Sequence, residues 1–167
     1  AGTETATATL KTTDDDIAGI TIAQASSPLV TTEAGSTASF TVVLDAKPTD
    51  NVTVSITGND STEHQLSSSS LTFTTSNWNT AQTVTVTGVD DSLDDGDITT
   101  TLTATASNTG GYAGTETATA TLKTTDNDTA GITIAQASSP LVTTEAGSTA
   151  SFTVVLDNEP TDNVTVS

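Results

Sequence analysis

The 167 residues carry 21 acidic and 3 basic side chains, a single histidine, no cysteine and no methionine, for a formal charge of −18 at neutral pH. That balance argues against nucleic acid and anionic membrane surfaces as partners, since both would repel the chain, and favours divalent cations and salty surroundings. Without cysteine there are no disulfides and no thiolate metal sites.

No apolar run approaches the ~18–20 residues of a membrane span, so no direct membrane insertion is expected. The N-terminal residues have no signal-like core, and any export or anchoring signal is expected to lie outside this stretch. Only 3% of residues are aromatic. The core must therefore be assembled from Val, Ile, Leu, Ala and the methyl groups of Thr.

In chain order, apolar residues alternate with Thr or Ser over 19–23, 38–44, 51–57, 70–74, 82–89, 98–106 and 116–122. Period-two alternation gives one buried and one wetted sheet face, the pattern of antiparallel strands. Turn-forming residues fall between the runs, as at Glu33-Ala34-Gly35, Lys47-Pro48-Thr49-Asp50, Gly58-Asn59-Asp60 and Gly110-Gly111. Seven short strands without helical periodicity predict an all-β, seven-stranded antiparallel immunoglobulin-like sandwich.

Residues 1–55 recur at 113–167 with four differences: Asp15/Asn127, Ile17/Thr129, Ala46/Asn158 and Lys47/Glu159. A period of 112 residues is the size of a whole domain rather than of a solenoid turn, which indicates a tandem array. The expected division is 1–16 as the last strand and junction of a preceding repeat, 17–128 as a complete sandwich, and 129–167 as the first strands of the next.

Between the fifth and sixth runs lies Val89-Asp90-Asp91-Ser92-Leu93-Asp94-Asp95-Gly96-Asp97, with five carboxylates in eight residues. At about 5 Å and an effective dielectric near 20, each pair of such charges repels by roughly 3 kcal/mol. The loop therefore needs either full solvation or a cation. A second acidic knot, Asp126-Asn127-Asp128, has its earlier copy at Asp14-Asp15-Asp16. In a seven-stranded sandwich every second connection lies at one end. That rule gathers Glu33, Asp60 or Glu63, the 90–97 loop, Asp126 and Asp128 beside the start of the next repeat. The bland alternative is a solvated acidic surface.

The run Asp-Asn-Asp-Thr-Ala-Gly-Ile-Thr-Ile, then Thr-Glu-Ala-Gly, Leu71-Thr72-Phe73, Asn77-Trp78-Asn79-Thr80-Ala81-Gln82-Thr83-Val84-Thr85-Val86 and Val89-Asp90-Asp91 with Asp94 and Asp97 resembles Calx-β domains. The likeness covers the whole period, and tandem copies are similar to the extender regions of very large bacterial surface adhesins. It implies a Ca²⁺-binding sandwich with ligands at Glu33, Asp60, Asp90, Asp91, Asp94, Asp97, Asp126 and Asp128, with Glu63 as an alternative to Asp60. By repetition it also implies Asp14, Asp16 and Glu145. Asp94 and Asp97 are shorter than the Glu often found in that family, which leaves the number of ions open.

EF-hand loops starting at Asp91 or Asp126 fail, because Leu102 or Ala137 stands where the bidentate Glu belongs. The lone His64 reads as a surface-loop residue, Trp78 as a structural plug or edge residue, and Tyr112 as packing near the last strand. The outward Thr rows read as hydrated strand faces rather than an ice- or crystal-binding surface. No nucleophile elbow is present, and no enzymatic activity is expected.

The reading is a calcium-stiffened extracellular extender or stalk repeat of a bacterial cell-surface or secreted adhesin or filament, serving adhesion or biofilm. Its expected partners are neighbouring repeats or identical subunits, with matrix or cell-surface components reached through other regions. A glycan- or protein-binding adhesin module is the alternative.

Overall fold

The computed structural model describes residues 1–167 and contains strands, turns and loops but no helix, and hence none long and apolar enough to cross a membrane. Nine strands lie between residues 20 and 125: β1 (Ile20–Gln24), β2 (Leu29–Thr32), β3 (Thr37–Leu44), β4 (Val52–Thr57), β5 (His64–Leu66), β6 (Ser70–Phe73), β7 (Gln82–Gly88), β8 (Ile98–Ala106) and β9 (Thr117–Thr125). Two more follow, β10 (Ile132–Gln136) and β11 (Phe152–Leu156).

The expected seven strands per unit are thus corrected to nine. The two added, β2 and β5, are only 4 and 3 residues long. They are too short to display an alternation and exist as strands because a neighbour supplies the ladder.

One sheet runs β1-β3-β7-β5 and the other β2-β9-β8-β4-β6. Their facing side chains meet in a single core. Ile20, Phe40, Val42, Leu44, Val84 and Val86 come from the first sheet, and Leu29, Val52, Val54, Leu71, Phe73, Leu102 and Leu122 from the second. Alternate residues of β3, β7, β8 and β9 are buried while their Thr and Ser neighbours are wetted. The Thr-x-Thr rows are therefore the outer face of this alternation.

The chain crosses between sheets after β1. Residues 20–24 pair antiparallel with β3, and after the Ala25–Pro28 link β2 pairs parallel with β9, Leu29 opposite Leu122 and Thr32 opposite Thr125. Pro28 suits this crossing, since a residue without an N–H gives up nothing by leaving a ladder.

Tyr112 closes the end of the sandwich where β1 begins. It is buried, its hydroxyl donates to the Ala46 carbonyl at 2.9 Å and accepts the Ala46 N–H at 3.3 Å, and the Gly19 carbonyl lies 3.3 Å away. Trp78 packs against the core edge, and its carbonyl accepts the Leu44 N–H at 3.2 Å.

Strands β10 and β11 repeat the β1–β3 pairing in the same register, Ile132 opposite Leu156 as Ile20 is opposite Leu44. They form a two-stranded sheet alone. Residues 1–16 form no strand and are exposed throughout.

Replacing Tyr112 by Phe removes the hydroxyl and leaves buried Ala46 groups unpaired. It is expected to destabilise the sandwich by about 1–2 kcal/mol, read as a lowered urea midpoint; an unchanged midpoint would show that the hydroxyl does not tie this end together.

Candidate metal centre

Strand register, more than loop sequence, assembles the acidic end. Thr32 lies opposite Thr125, Ile98 opposite Thr124, and His64 opposite Gly88. The segments leaving these positions carry Glu33, Asp60–Glu63, Val89–Asp97 and Asp126–Asp128. Gly88 makes the close approach possible, since a Cβ there would overlap the Thr32 carbonyl oxygen.

At the centre, one carboxylate oxygen each from Glu33, Asp126 and Asp128 lie within 4.8 Å of one another. Glu33 is buried. Burial pushes its pKa above the usual carboxylate range, the Asn127 N–H partly opposes this, and the charges of Asp126, Asp91 and Asp128 raise it further. Asn127 donates both its backbone N–H (3.1 Å) and its side-chain Nδ2 (3.2 Å) to Glu33 Oε2, and the same Nδ2 reaches Asp90 Oδ1 at 3.2 Å.

Asp126 is held low, chiefly by the Asp128 N–H and then by the Gly96 N–H, each 2.7 Å from its carboxylate. Asp128 receives Asn158 Nδ2 on Oδ1, while its Oδ2 is buried without a partner. A buried carboxylate oxygen lacking any donor, between two further carboxylates, is a donor set suited to a hard cation.

The remaining predicted ligands surround this triad in different roles. Asp97 pairs with Lys123 Nζ at 2.6 Å, which lowers its pKa, and accepts the Asp126 N–H at 3.1 Å. Asp91 accepts the Leu93 N–H at 2.8 Å, and its charge bears on both Glu33 and Glu63. Asp94 accepts the Ala130 N–H at 2.7 Å. Asp60 closes its own turn by accepting from Thr62 Oγ1 at 2.7 Å and the Thr62 N–H at 3.1 Å, which lowers its pKa.

Glu63, the alternative to Asp60, is only 4% exposed. Burial first, then the charges of Asp95, Asp60, Glu33 and Asp91, push it up to about 7. Asp14, Asp16 and Glu145 are exposed and belong to no such cluster.

His64 corrects the surface-loop expectation. It opens β5, is 1% exposed, and has no hydrogen-bond partner on either ring nitrogen. Burial lowers its pKa, with Asp60 opposing. No sequence signal marked Glu63 and His64 as interior, because a three-residue strand has too few positions to show which face is in.

The second copy touches the acidic end directly. Glu159 donates its N–H to the Ser92 carbonyl at 2.8 Å and forms a bridge with Leu93. With the Asp94–Ala130 and Asp128–Asn158 bonds, the 90–97 loop and the 126–128 linker are connected to residues 130–159.

No protein-family model matches the sequence, and no curated protein sequence matches it. Similar solved structures include an MSP-domain-like protein, SSP-19, of Caenorhabditis elegans (TM-score 0.45, 11% identity, 59% of this chain and 94% of that one). The apo-form Calx CBD1 domain aligns with TM-score 0.45 and 16% identity over 66% of this chain and 99% of that one. A PapD-like domain of human CEP192 aligns with TM-score 0.46 and 15% identity over 77% and 99%. Likenesses at this level do not bear on function.

Glu63 generates a pH prediction for the metal-free protein. Its folded pKa, about 7, lies above the ordinary 4.5, so its contribution to stability is fully present below pH 4.5 and is lost as pH rises through 7. Glu63→Gln is expected to flatten that part of the stability profile and to exceed the parent by roughly 1–3 kcal/mol at pH 8, measured by denaturant unfolding in chelator across pH. Parallel profiles for the two proteins would contradict it.

Proposed function

We propose that this chain is a structural extender: an immunoglobulin-like repeat, with 17–128 as its unit, whose joint to the next repeat is stiffened by Ca²⁺. The observation that carries this reading is the Glu33–Asp126–Asp128 triad with its unpartnered Asp128 oxygen. Glu33 belongs to the sandwich, whereas Asp126 and Asp128 belong to the linker leading to β10. An ion held by all three would tie linker to sandwich.

Three like charges in that space cost roughly 3 kcal/mol per pair at an effective dielectric near 20. The nearest lysine is already paired with Asp97. Ca²⁺ takes six to eight oxygens from carboxylates, carbonyls and water, and Asp90 and Asp91 lie close enough in the same end to contribute. When bound, the ion supplies charge neutralisation and cross-linking, and no chemical transformation is involved. The chain's own residues add the Asp94–Ala130, Ser92–Glu159 and Asp128–Asn158 hydrogen bonds, which connect the two copies across the joint.

A strand of nine residues spans close to 30 Å, so repetition of such units gives length at little cost in sequence complexity. The large negative charge and the absence of cysteine suit an extracellular setting on or released from a bacterial cell, in an adhesin or filament. A rod of this kind holds an adhesive tip away from the surface. The neighbours it binds are its own repeats.

Saturating Ca²⁺ is expected to raise the melting temperature, with a stabilisation near 2.7 kcal/mol at one hundred times the dissociation constant, and Glu33→Gln to abolish most of that gain. Small-angle scattering should show a longer, narrower distance distribution in Ca²⁺ than in chelator. Absence of a binding heat together with identical scattering curves would overturn the proposal.

A further inference from the structure

The complete unit has four edge strands, β1 and β5 in the first sheet and β2 and β6 in the second. The chain itself closes three of these edges. On β6 the Ser69 carbonyl accepts the Ile56 N–H of β4, so Ser70 and Thr72 turn their main-chain groups outward. Ser68 Oγ donates to the Ser70 carbonyl at 2.7 Å and accepts the Ser70 N–H at 3.2 Å, and Gln82 Nε2 donates to the Thr72 carbonyl at 2.8 Å. On β5 the His64 N–H donates to the Asp60 carbonyl at 3.0 Å, and Asn59 Nδ2 donates to the His64 carbonyl at 3.3 Å. On β2 the Thr32 N–H donates to Ser36 Oγ at 2.7 Å, and the Thr32 carbonyl accepts the Gly35 N–H at 3.0 Å.

The β1 edge has no such cover. The Asp45 N–H donates to the Gly19 carbonyl at 3.0 Å, and in that register Thr21 and Ala23 turn their main-chain groups toward β3. Those of Ile20, Ile22 and Gln24 point away from the sandwich and have no hydrogen-bond partner. An unpaired edge is a template for another strand, and edges are commonly blunted by Lys, Pro or a bulge. Ile20-Thr21-Ile22-Ala23-Gln24 contains neither residue and pairs with β3 without interruption. Residues 17–32 carry no charged side chain in a chain of formal charge −18. On the same flank Val30 of β2 is 49% exposed.

We propose that the β1 edge pairs antiparallel with the β1 edge of a second copy of this chain, joining the first sheets of the two copies into one. Like charge opposes the approach of two copies over most of the surface, and this uncharged stretch is where that opposition is least. The edge is also complementary to itself. A two-fold register with Ile22 opposite the partner's Ile22 uses every outward residue, Ile20 facing the partner's Gln24 and Gln24 the partner's Ile20. Each pair then exchanges both of its N–H···O bonds, whereas a shift by two residues leaves one of the outward residues unpaired.

Charge permits this arrangement. Asp45 accepts from Thr21 Oγ1 at 2.7 Å and stands in register with Gly19. The partner's Gly19 lies opposite Ala25, which separates the two Asp45 side chains by roughly 20 Å along the ladder, beyond the ~8–10 Å Debye length. Antiparallel pairing also sets the acidic end of one copy beside the Tyr112 end of the other, keeping the carboxylate clusters apart. β10 has the sequence of β1 and pairs with β11 in the same register, so successive repeats carry the same edge. One such ladder is small beside the ~1,200–2,000 Å² of a stable interface, and the contact gains strength from several repeats acting together. The pairing does not rest on the calcium reading, since the groups that make it lie in β1.

Sedimentation velocity of the full chain in chelator, from micromolar to millimolar concentration, tests the proposal beside the double variant Ala23→Glu/Ala135→Glu. Both alanines are exposed, and a glutamate at 23 lies opposite the partner's Thr21, close to the partner's Asp45. The expected result is a weight-average mass that rises with concentration in the parent. Association should weaken by roughly tenfold or more in the variant, as like charges across a ladder are destabilising, with no change in melting temperature. A monomer at every concentration, or association equally strong in the variant, would overturn the pairing. Mixing Thr21→Cys with Ala23→Cys in this cysteine-free chain tests the register. These positions face each other with Cα atoms about 4.5 Å apart, whereas 21 and the partner's 21 lie roughly 7–8 Å apart, too far for an unstrained disulfide. The mixed disulfide should therefore predominate over both symmetric ones, and equal yields would overturn the register.

Discussion

The pairing of β9 with two neighbours at once, antiparallel to β8 and parallel to β2, is the constraint on which the molecule turns. Through β8 it joins the second sheet; through β2 it holds the chain that has just crossed from the first. Its inward Leu122 completes the core beneath Phe40 and Val42, and its last residue, Thr125, delivers the chain to Asp126 at the point where Glu33 leaves β2. Packing and the acidic joint are consequently one problem. A strand end that must stay in register for the core also fixes the spacing of the carboxylates.

This coupling explains why burial and charge oppose one another at one end only. Glu33 and Glu63 are both buried, and both are pushed toward the protonated form by desolvation and by other carboxylates. At the Tyr112 end the buried polar groups are neutral and mutually hydrogen-bonded. One end is thus satisfied by the protein alone, whereas the other is arranged around groups that need a proton or a cation. Rigidity at the first end and responsiveness at the second follow from side chains of different chemistry on the same scaffold.

Alternation was legible wherever a strand had six or more residues, as in β7 and β8, because their outer face is uniformly Thr. It failed for β2 and β5, whose existence depends on long-range partners rather than on local pattern. The identical Leu-Val-Thr-Thr is a strand at 29–32 and not at 141–144. The carboxylates were conspicuous in the sequence, but their division of labour was not. Hydrogen-bond geometry decides that Asp60 closes its own turn, that Asp97 takes the lysine, and that Glu33, Asp126 and Asp128 converge. Glu63 and His64 lie at the start of a three-residue strand paired with β7, the Glu63 carbonyl accepting the Val89 N–H, and so short a strand shows no periodicity.

The four positions at which the two copies differ all fall on the junction. Asn127 stands where the earlier copy has Asp15, and it donates to Glu33 and Asp90. An aspartate there could donate only its backbone N–H and would add a charge against Glu33 worth roughly 3 kcal/mol of repulsion at 5 Å. Asn158 replaces Ala46 and reaches Asp128, and Glu159 replaces Lys47 beside Ser92 and Leu93. Thr129, in place of Ile17, completes the set in the linker itself. Sequence identity is thus kept wherever the fold needs it and given up where one unit meets the next. The charged positions of the set are Asp15 and Lys47 in the earlier copy, which cancel, and Glu159 alone in the later one, which gives up a lysine but gains amide side chains that reach Glu33, Asp90 and Asp128.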